Sequence, residues 1–472
     1  MLSFSSPLYY LFLVLSLVGY YALPNYQKQI LIFSGAIFIA SFSPLALPLF
    51  IIMQGISYTC ALQINQTKTG LKRKILFSTG IALLASMPIL QKFIFPENIT
   101  FYTSHESTIF VGISFLSLQC ISYLIDVYFR QIEASTNMWA FTTYGIFFPK
   151  WVSGPIMHWK NFNLQNAETK KCLRQNIEYG IQRILLGLFK KLVIADRLSA
   201  GVSSIFDFQD EIAGVTRVVA AFLFLIQLYF DFSAYVDIAI GSARMFNIYV
   251  PENFNMPLRA KSVSEFWRRW HISLVNWLTQ YIYYPTYYSL RKNIVIGGIL
   301  SIFLTLMVSG IWHGISLTFM TYSILHAMYL IAEFILRKNQ KNITSKIPKR
   351  VKNISGKILT LCLVSFSMIF FRSSSWTQAL WYIKSTMHVS TFFPKSILKE
   401  FLAPLAVGGH QEDLFNFYIC IFFATTYLLL EHKITFTKDF KRFNFVLAFA
   451  CILFIFIFGV LGNHARFIYM QF

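Results

Sequence analysis

His313 stands in the run Ser309-Gly310-Ile311-Trp312-His313-Gly314, between two apolar stretches. An unperturbed imidazole titrates near pH 6.5, so it can take a proton from a hydroxyl and return it at neutral pH. Gly310 and Gly314 allow close backbone approach, and the Trp312 indole could wall a narrow passage. A second histidine, His271, follows the aromatic and basic run Phe266-Trp267-Arg268-Arg269-Trp270. That alternation suits an interfacial helix, with rings at headgroup level and cations toward phosphates. It equally suits a cytoplasmic pocket with His271, Trp270, Arg268 and Arg269 at its mouth. Asp231 and Asp237 form a third constellation, six residues apart on an apolar stretch, which is about 600° of helical rotation. The two carboxylates therefore lean to different sides. Intramembrane acids pair with nearby Arg or Lys, which favours two separate anchors over an acid/base dyad. On residue type alone, His313 is more often a satisfied packing histidine than a base. His326 and Arg372 are expected to be structural.

Such residues matter only if the chain lies in lipid, and its composition says that it does. Of 472 residues, 56% are hydrophobic, 13% are charged and 50 are Phe. Ordinary soluble domains carry roughly 25% charged residues, and this much apolar surface cannot be hidden inside a body of this size. A helix needs about 20 mostly apolar residues to cross the hydrocarbon core, and many such stretches occur. The net charge of +21 is gathered in alternate loops, around Lys68–Lys74, Lys160–Arg174, Arg259–Arg269, Arg337–Lys357 and Lys433–Arg442. That is the positive-inside pattern of cytoplasmic loops and argues against nucleic-acid binding. The six cysteines have no metal-type spacing. Five lie in apolar spans and Cys172 in a basic loop, so neither a disulfide framework nor a metal site is expected.

With the basic loops inside, the topology alternates. The run Leu8 to Leu23 reads as a retained first span. A region from Ile30 to Gln63, broken at Pro44 and Pro48, leads to the first basic loop. Spans follow near Ile75–Phe95, Ile109–Phe129, Ile177–Leu198 (despite Lys190 and Lys191), Val215–Ala243, Ile294–Trp312, Ser316–Leu336, Ile358–Phe371, Leu414–Leu430 and Phe445–Leu461, with a weaker segment at Trp376–Ile383. The short apolar stretch Trp139–Pro155 is predicted to dip into the membrane or lie along it. Loop 96–107 and the run Asp207, Asp210, Glu211 are placed outside, residues 251–292 in the cytoplasm, and 388–412 is a loop of mixed charge. The expected fold is an all-α polytopic membrane protein of about ten to twelve segments, in one domain over residues 1–472.

Several fragments in this order resemble the membrane-bound O-acyltransferase family, specifically its bacterial alginate and peptidoglycan O-acetylase branch. They include Gly112-Ile113-Ser114-Phe115, Ser122-Tyr123-Leu124-Ile125-Asp126-Val127-Tyr128, Phe147-Phe148-Pro149 with Gly154-Pro155-Ile156, and Gly187-Leu188-Phe189-Lys190-Lys191. The most specific run goes from Tyr229 through Pro251-Glu252-Asn253-Phe254-Asn255 to Leu274, followed by Ser309–Gly314 and the ending Phe467–Phe472. The resemblance implies a ring of tilted helices around a thin centre, pierced by a tunnel between a cytoplasmic and an outer cavity. It implies that His313 is the catalytic histidine and His271 its second conserved partner. It also implies acyl transfer across the membrane, from a cytoplasmic thioester such as acetyl-CoA, used as substrate with no bound cofactor. The acceptor would be a hydroxyl outside, on an envelope polysaccharide or a relay protein, and the chain would lie in a bacterial inner membrane among its lipids. The span count puts His313 near an outer helix end rather than in a tunnel; a broken helix would reconcile the two. Leu278-Thr279-Gln280, Leu317, Tyr322-Ser323 and His326-Ala327 depart from the family pattern. Other readings are a teichoic-acid D-alanyl transferase, a transporter of polymer or acyl donor, and an envelope scaffold. No internal symmetry of the transporter kind is evident.

Overall fold

The apolar runs form helices because lipid offers no partner for backbone N–H and C=O groups, so each segment must satisfy its own. In the computed structural model these helices are α1 (Pro7–Ala22), α2 (Gln27–Phe42), α3 (Ala46–Gln66), α4 (Leu71–Ile94), α5 (Ile113–Tyr128), α6 (Met138–Ile146), α7 (Trp159–Asn166) and α8 (Arg174–Phe189). They continue with α9 (Asp196–Asp207), α10 (Gly214–Met245), α11 (Val263–Arg269), α12 (Ile272–Leu278), α13 (Tyr284–Ser289), α14 (Ile294–His313) and α15 (Leu317–Asn339). Last come α16 (Lys349–Arg372), α17 (Trp376–Thr386), α18 (Gln411–Ile434) and α19 (Phe445–Phe458). The structure describes residues 2–94, 112–207, 214–339, 348–387, 411–434, 444–460 and 467–468. Loops 96–107 and 388–410, together with Asp210 and Glu211, lie outside the described residues. No strand occurs among those described.

The chain is an all-α polytopic membrane protein. Six described helices are long and apolar enough to cross a bilayer, or seven if α1 and α2, bent by 111° at Pro24, count as one. Helices α5 and α19 are apolar but shorter, so a total of ten to twelve segments is reached only by counting short and bent pieces. Pro48 lies inside α3; the break falls at Ser43–Leu45, beside Pro44.

Helix α10 is the axis of the body. Its 32 residues span about 48 Å at 1.5 Å per residue, and almost all of its middle is buried. Helices α8 and α9 run antiparallel beside it as one piece, joined by a π-helical turn over Lys190–Ala195. The stretch expected to dip into the membrane is α6, a 3-10 turn at Phe148–Lys150 and a buried coil to Met157. Nine residues of α6 cover about 13 Å and cannot span. Lys150 is enclosed there, its amine on the Gln119 side-chain carbonyl and 4.5 Å from the Tyr144 ring.

Candidate active site

Helix α14 is started by Asn293, whose Oδ1 accepts the N–H groups of Val295 and Ile296 at 3.2 and 3.1 Å. It ends on His313. Gly314 then turns the chain so that α15 packs back on α14. A β-carbon on Gly314 would come within 2.6 Å of the Phe319 ring, and one on Gly310 would collide with Ser323 Oγ. The turn therefore requires both glycines. His313 is left 5% exposed, with its ring centre 4.9 Å from Trp312, 6.2 Å from Phe319 and 5.6 Å from Phe371.

His271 arrives from the other side. Residues 251–292, expected in the cytoplasm, fold into the body through α11 and α12. Ser262 Oγ accepts the Glu265 N–H at 3.2 Å to start α11, and Glu265 Oε2 accepts the Lys261 N–H at 2.9 Å, a local variant of the capping box. Between α11 and α12, His271 takes the left-handed conformation, φ 46° and ψ 50°. Strain of this kind, outside glycine, persists only where the surroundings hold it. Here the hold is explicit. Asn255 N–H donates to the Arg269 carbonyl at 2.9 Å, Ile272 N–H to the Asn253 carbonyl at 3.0 Å, and Ser273 N–H to Asn253 Oδ1 at 3.0 Å. Ser273 Oγ in turn accepts the Ile156 N–H at 2.9 Å.

His271 is 1% exposed. It faces Phe232 at 4.9 Å, Phe115 at 6.2 Å and Trp312 at 6.4 Å. The Trp312 indole is thus a neighbour of both imidazoles, and its Nε1 donates to the Ser114 carbonyl at 3.4 Å. The sequence placed the two histidines on opposite sides of the membrane. Both come near the Trp312 ring because the part of 251–292 around His271 packs into the body.

The carboxylates sit one layer out. Asp237 pairs with Arg183 at 2.6 Å and with Lys190 at 2.7 Å, while Asp231 and Asp196 share Lys191 at 2.7 and 2.8 Å. Arg183 extends the network to Glu252 at 2.6 Å, immediately before Asn253. Asp231 Oδ2 also accepts the Ile468 N–H at 2.7 Å, and the Lys191 amine lies 4.4 Å from the Phe467 ring. Residues 469–472 of the ending lie outside the described residues.

The family model for membrane-bound O-acyltransferases matches residues 130–376, just over half of the chain and inclusive of both histidines. The chain belongs to this family. It is therefore a membrane-embedded enzyme that transfers acyl groups to oxygen. It is similar to a peptidoglycan O-acetyltransferase of Helicobacter pylori, at 28% identity over 81% of this chain and 79% of that one. It is also similar to a probable alginate O-acetylase of Pseudomonas aeruginosa, at 34% identity over 59% of this chain and 51% of that one. With a teichoic acid D-alanyltransferase of Bacillus subtilis it shares 25% identity over 57% of this chain and 69% of that one. The chain thus spans most of the first relative but about half the length of the alginate enzyme.

Within this O-acyltransferase the other candidate residues are dispersed. Trp270 is buried among Phe254, Phe266 and Tyr229. Arg269 pairs with Glu265 at 2.8 Å and donates to the Asn255 carbonyl at 3.0 Å, and Arg268 is exposed. Gly314 makes the turn after His313. Among the described residues no group of three or more His, Cys, Asp or Glu side chains could hold a metal ion.

Sequence reasoning missed Asn253 as a site residue and left Lys190 and Lys191 without partners. Asn253 carried no signal beyond its run, because its partners lie about twenty residues on. The lysines did carry one: two cations at membrane depth demand acids at the same depth. His326 is a packing residue. The Trp267 indole donates to its Nδ1 at 3.2 Å, and its Nε2 meets Ser367 Oγ at 2.8 Å. Since Ser367 gives its own proton to the Val364 carbonyl at 2.7 Å, the ring is the neutral Nε2–H tautomer.

Proposed function

We propose that this enzyme moves an acetyl group from a cytoplasmic thioester, acetyl-CoA, through the bacterial inner membrane to a hydroxyl of an envelope polysaccharide of the peptidoglycan or alginate type, directly or by way of a relay protein. The observation that carries the reading is that His313 and His271 both lie against one indole, Trp312. One histidine ends an apolar helix long enough to span, and the other comes from a segment packed into the body.

The chemistry follows from the residues. A neutral His313 accepts the proton of the acceptor hydroxyl as the oxygen attacks the thioester carbonyl. The C–S bond then breaks, and the imidazolium returns its proton to the leaving thiolate. No net proton is consumed, and the base is ready for the next cycle. General-base assistance of this kind is worth typically 10²–10⁴-fold. His271 binds and orients the acyl donor as a hydrogen-bond partner. Aromatic walls at Phe115, Trp312, Phe319 and Phe371 keep bulk water from the thioester, which would otherwise be hydrolysed.

The extent of the match to a peptidoglycan O-acetyltransferase favours acetyl over D-alanyl as the group moved. The deciding experiment compares ester-linked acetyl in wall fractions from cells with the wild-type chain, with His313→Ala and with no chain. Loss of acetyl with His313→Ala at normal membrane levels supports the reading; unchanged acetyl refutes it. Ester-linked D-alanine in place of acetyl would make the chain a D-alanyl transferase, and passage of labelled acetyl with no modified acceptor would make it a transporter.

A further inference from the structure

Between Glu265 and Glu400 the sequence holds a single acidic residue, Glu333, in a stretch otherwise charged only by Lys and Arg. It stands on α15, the helix that begins four residues after His313. Its carboxylate reaches a different helix, α11. Oε1 accepts the Val263 N–H at 2.5 Å, and Oε2 accepts the Ser264 N–H at 3.2 Å and the Ser264 hydroxyl at 2.6 Å. Arg337, one turn further on, donates to Glu333 Oε2 and to Ser262 Oγ, each at 3.3 Å. Two turns before Glu333, His326 accepts the Trp267 indole N–H. Helix α11 is thereby held from α15 at its first turn and again in its second half.

The first N–H groups of a helix have no partner inside it and must find acceptors elsewhere. In α11, Glu265 finds Ser262 Oγ nearby in the chain, while Val263 and Ser264 depend on a residue about seventy positions away. Seven residues are too few to make a stable helix by themselves, so α11 takes its position from its neighbours. At 1.5 Å per residue it is a rod of about 10 Å. Glu333 fixes one end of the rod, and His271 stands two residues beyond the other. Near its own start, α15 supplies Phe319, whose ring lies 6.2 Å from that of His313. One helix thus carries a wall of one histidine and the anchor of the segment that presents the other.

We infer that Glu333 is a positioning residue: by fixing the start of α11 to α15 it sets where His271 stands relative to His313. This rests on the reading of His271 as the group that orients the acyl donor. Alanine at 333 would leave two N–H groups and a hydroxyl of α11 to water, which satisfies donors but holds no position. The displacement is then delivered along the rod to His271. Glutamine keeps one acceptor oxygen in place of two and holds part of the contact.

The test reads position and binding separately in the purified full-length protein. Hydrogen exchange in Glu333→Ala should quicken by about tenfold in peptides covering 263–266 and also in those covering 270–274. Quickening confined to 263–266 would make Glu333 a local cap and overturn the proposal. Binding is read with acetonyl-CoA, a ketone analogue that cannot give up its acyl group, in a cycle with His271→Ala. Glu333→Ala should weaken binding by about tenfold in the wild-type background, the scale of one strong hydrogen bond. With His271 already removed the loss should shrink to about twofold or less, because residues that act through one contact do not add. Equal losses in both backgrounds, or none in either, overturn the proposal. Glu333→Gln should lose about threefold, again only when His271 is present, and it replaces the alanine variant if that one fails to accumulate. A wild type that does not bind acetonyl-CoA would refute the donor reading, and the exchange measurement would still decide whether Glu333 holds His271 in place.

Discussion

Two buried polar regions adjoin along α10, and they are built on opposite principles. Around His271 and His313 the walls are rings: Phe115, Phe232, Trp312, Phe319 and Phe371. Around Asp231 and Asp237 the walls are charges, Lys190, Lys191 and Arg183, each within 2.8 Å of a carboxylate. Taking ions out of water costs more than attraction repays unless each is matched, so the ionic region is closed upon itself. The two imidazoles have rings for neighbours instead. On the proposed mechanism the contrast separates what holds the helices from what does the chemistry, although Asp231 and Phe232 are neighbours in sequence.

The sharpest way to break this division is His313→Ala. Acyl transfer should fall by about 10²–10⁴-fold, while the protein inserts and elutes as wild type does; activity assay and size-exclusion chromatography check the two halves. Asp237→Ala should do the reverse. It strands Lys190 and part of Arg183 without their carboxylate, a loss of about 3–5 kcal/mol for a broken buried pair, visible as poor accumulation and a lowered Tm. A variant with normal Tm and no activity would move Asp237 from the frame to the site.

Asn253→Ala sharpens the border between the regions. It removes the Oδ1 acceptor of the Ser273 N–H beside the strained His271, a hydrogen bond worth about 1 kcal/mol. Activity should fall by several-fold, and Asn253→Asp, which keeps the acceptor, should recover part of it. His326→Gln should have the smallest effect. Glutamine can accept from Trp267 and donate to Ser367, so activity should stay within about twofold and stability within about 1 kcal/mol. A large loss of activity would show that His326 belongs with the other histidines.

Much of the frame was legible because lipid enforces it. Apolar length located α4, α10, α14 and α15 within a few residues, and the shortness of the Trp139–Pro155 stretch and its prolines matched a helix too short to span. What could not be read were contacts between distant segments. Nothing in the composition of 251–292 distinguishes a helix lying on the surface from one packed into the body, since both can be aromatic and basic. The difference lies in Asn253, Ile272 and Ser273, whose bonds draw that segment inward. The two histidines were legible as candidates but their shared neighbour was not, because Trp312 and His271 are about forty positions apart. The pairing of Lys191 with both Asp231 and Asp196 depends on the π-helical turn at Lys190–Ala195, an irregularity that no residue in the run announces.

Helix α5 accepts two indole N–H groups one turn apart, Trp312 on the Ser114 carbonyl and Trp277 on the Leu118 carbonyl at 3.0 Å. A carbonyl already engaged in its own helix has a second lone pair to give, so both bonds form without loosening the helix. They also act as a ratchet stop: a slide of α5 by any fraction of a turn unlatches both tryptophans together. Indole emission would then report that slip, with the protein carrying its own optical gauge of whether the wall beside the thioester is seated.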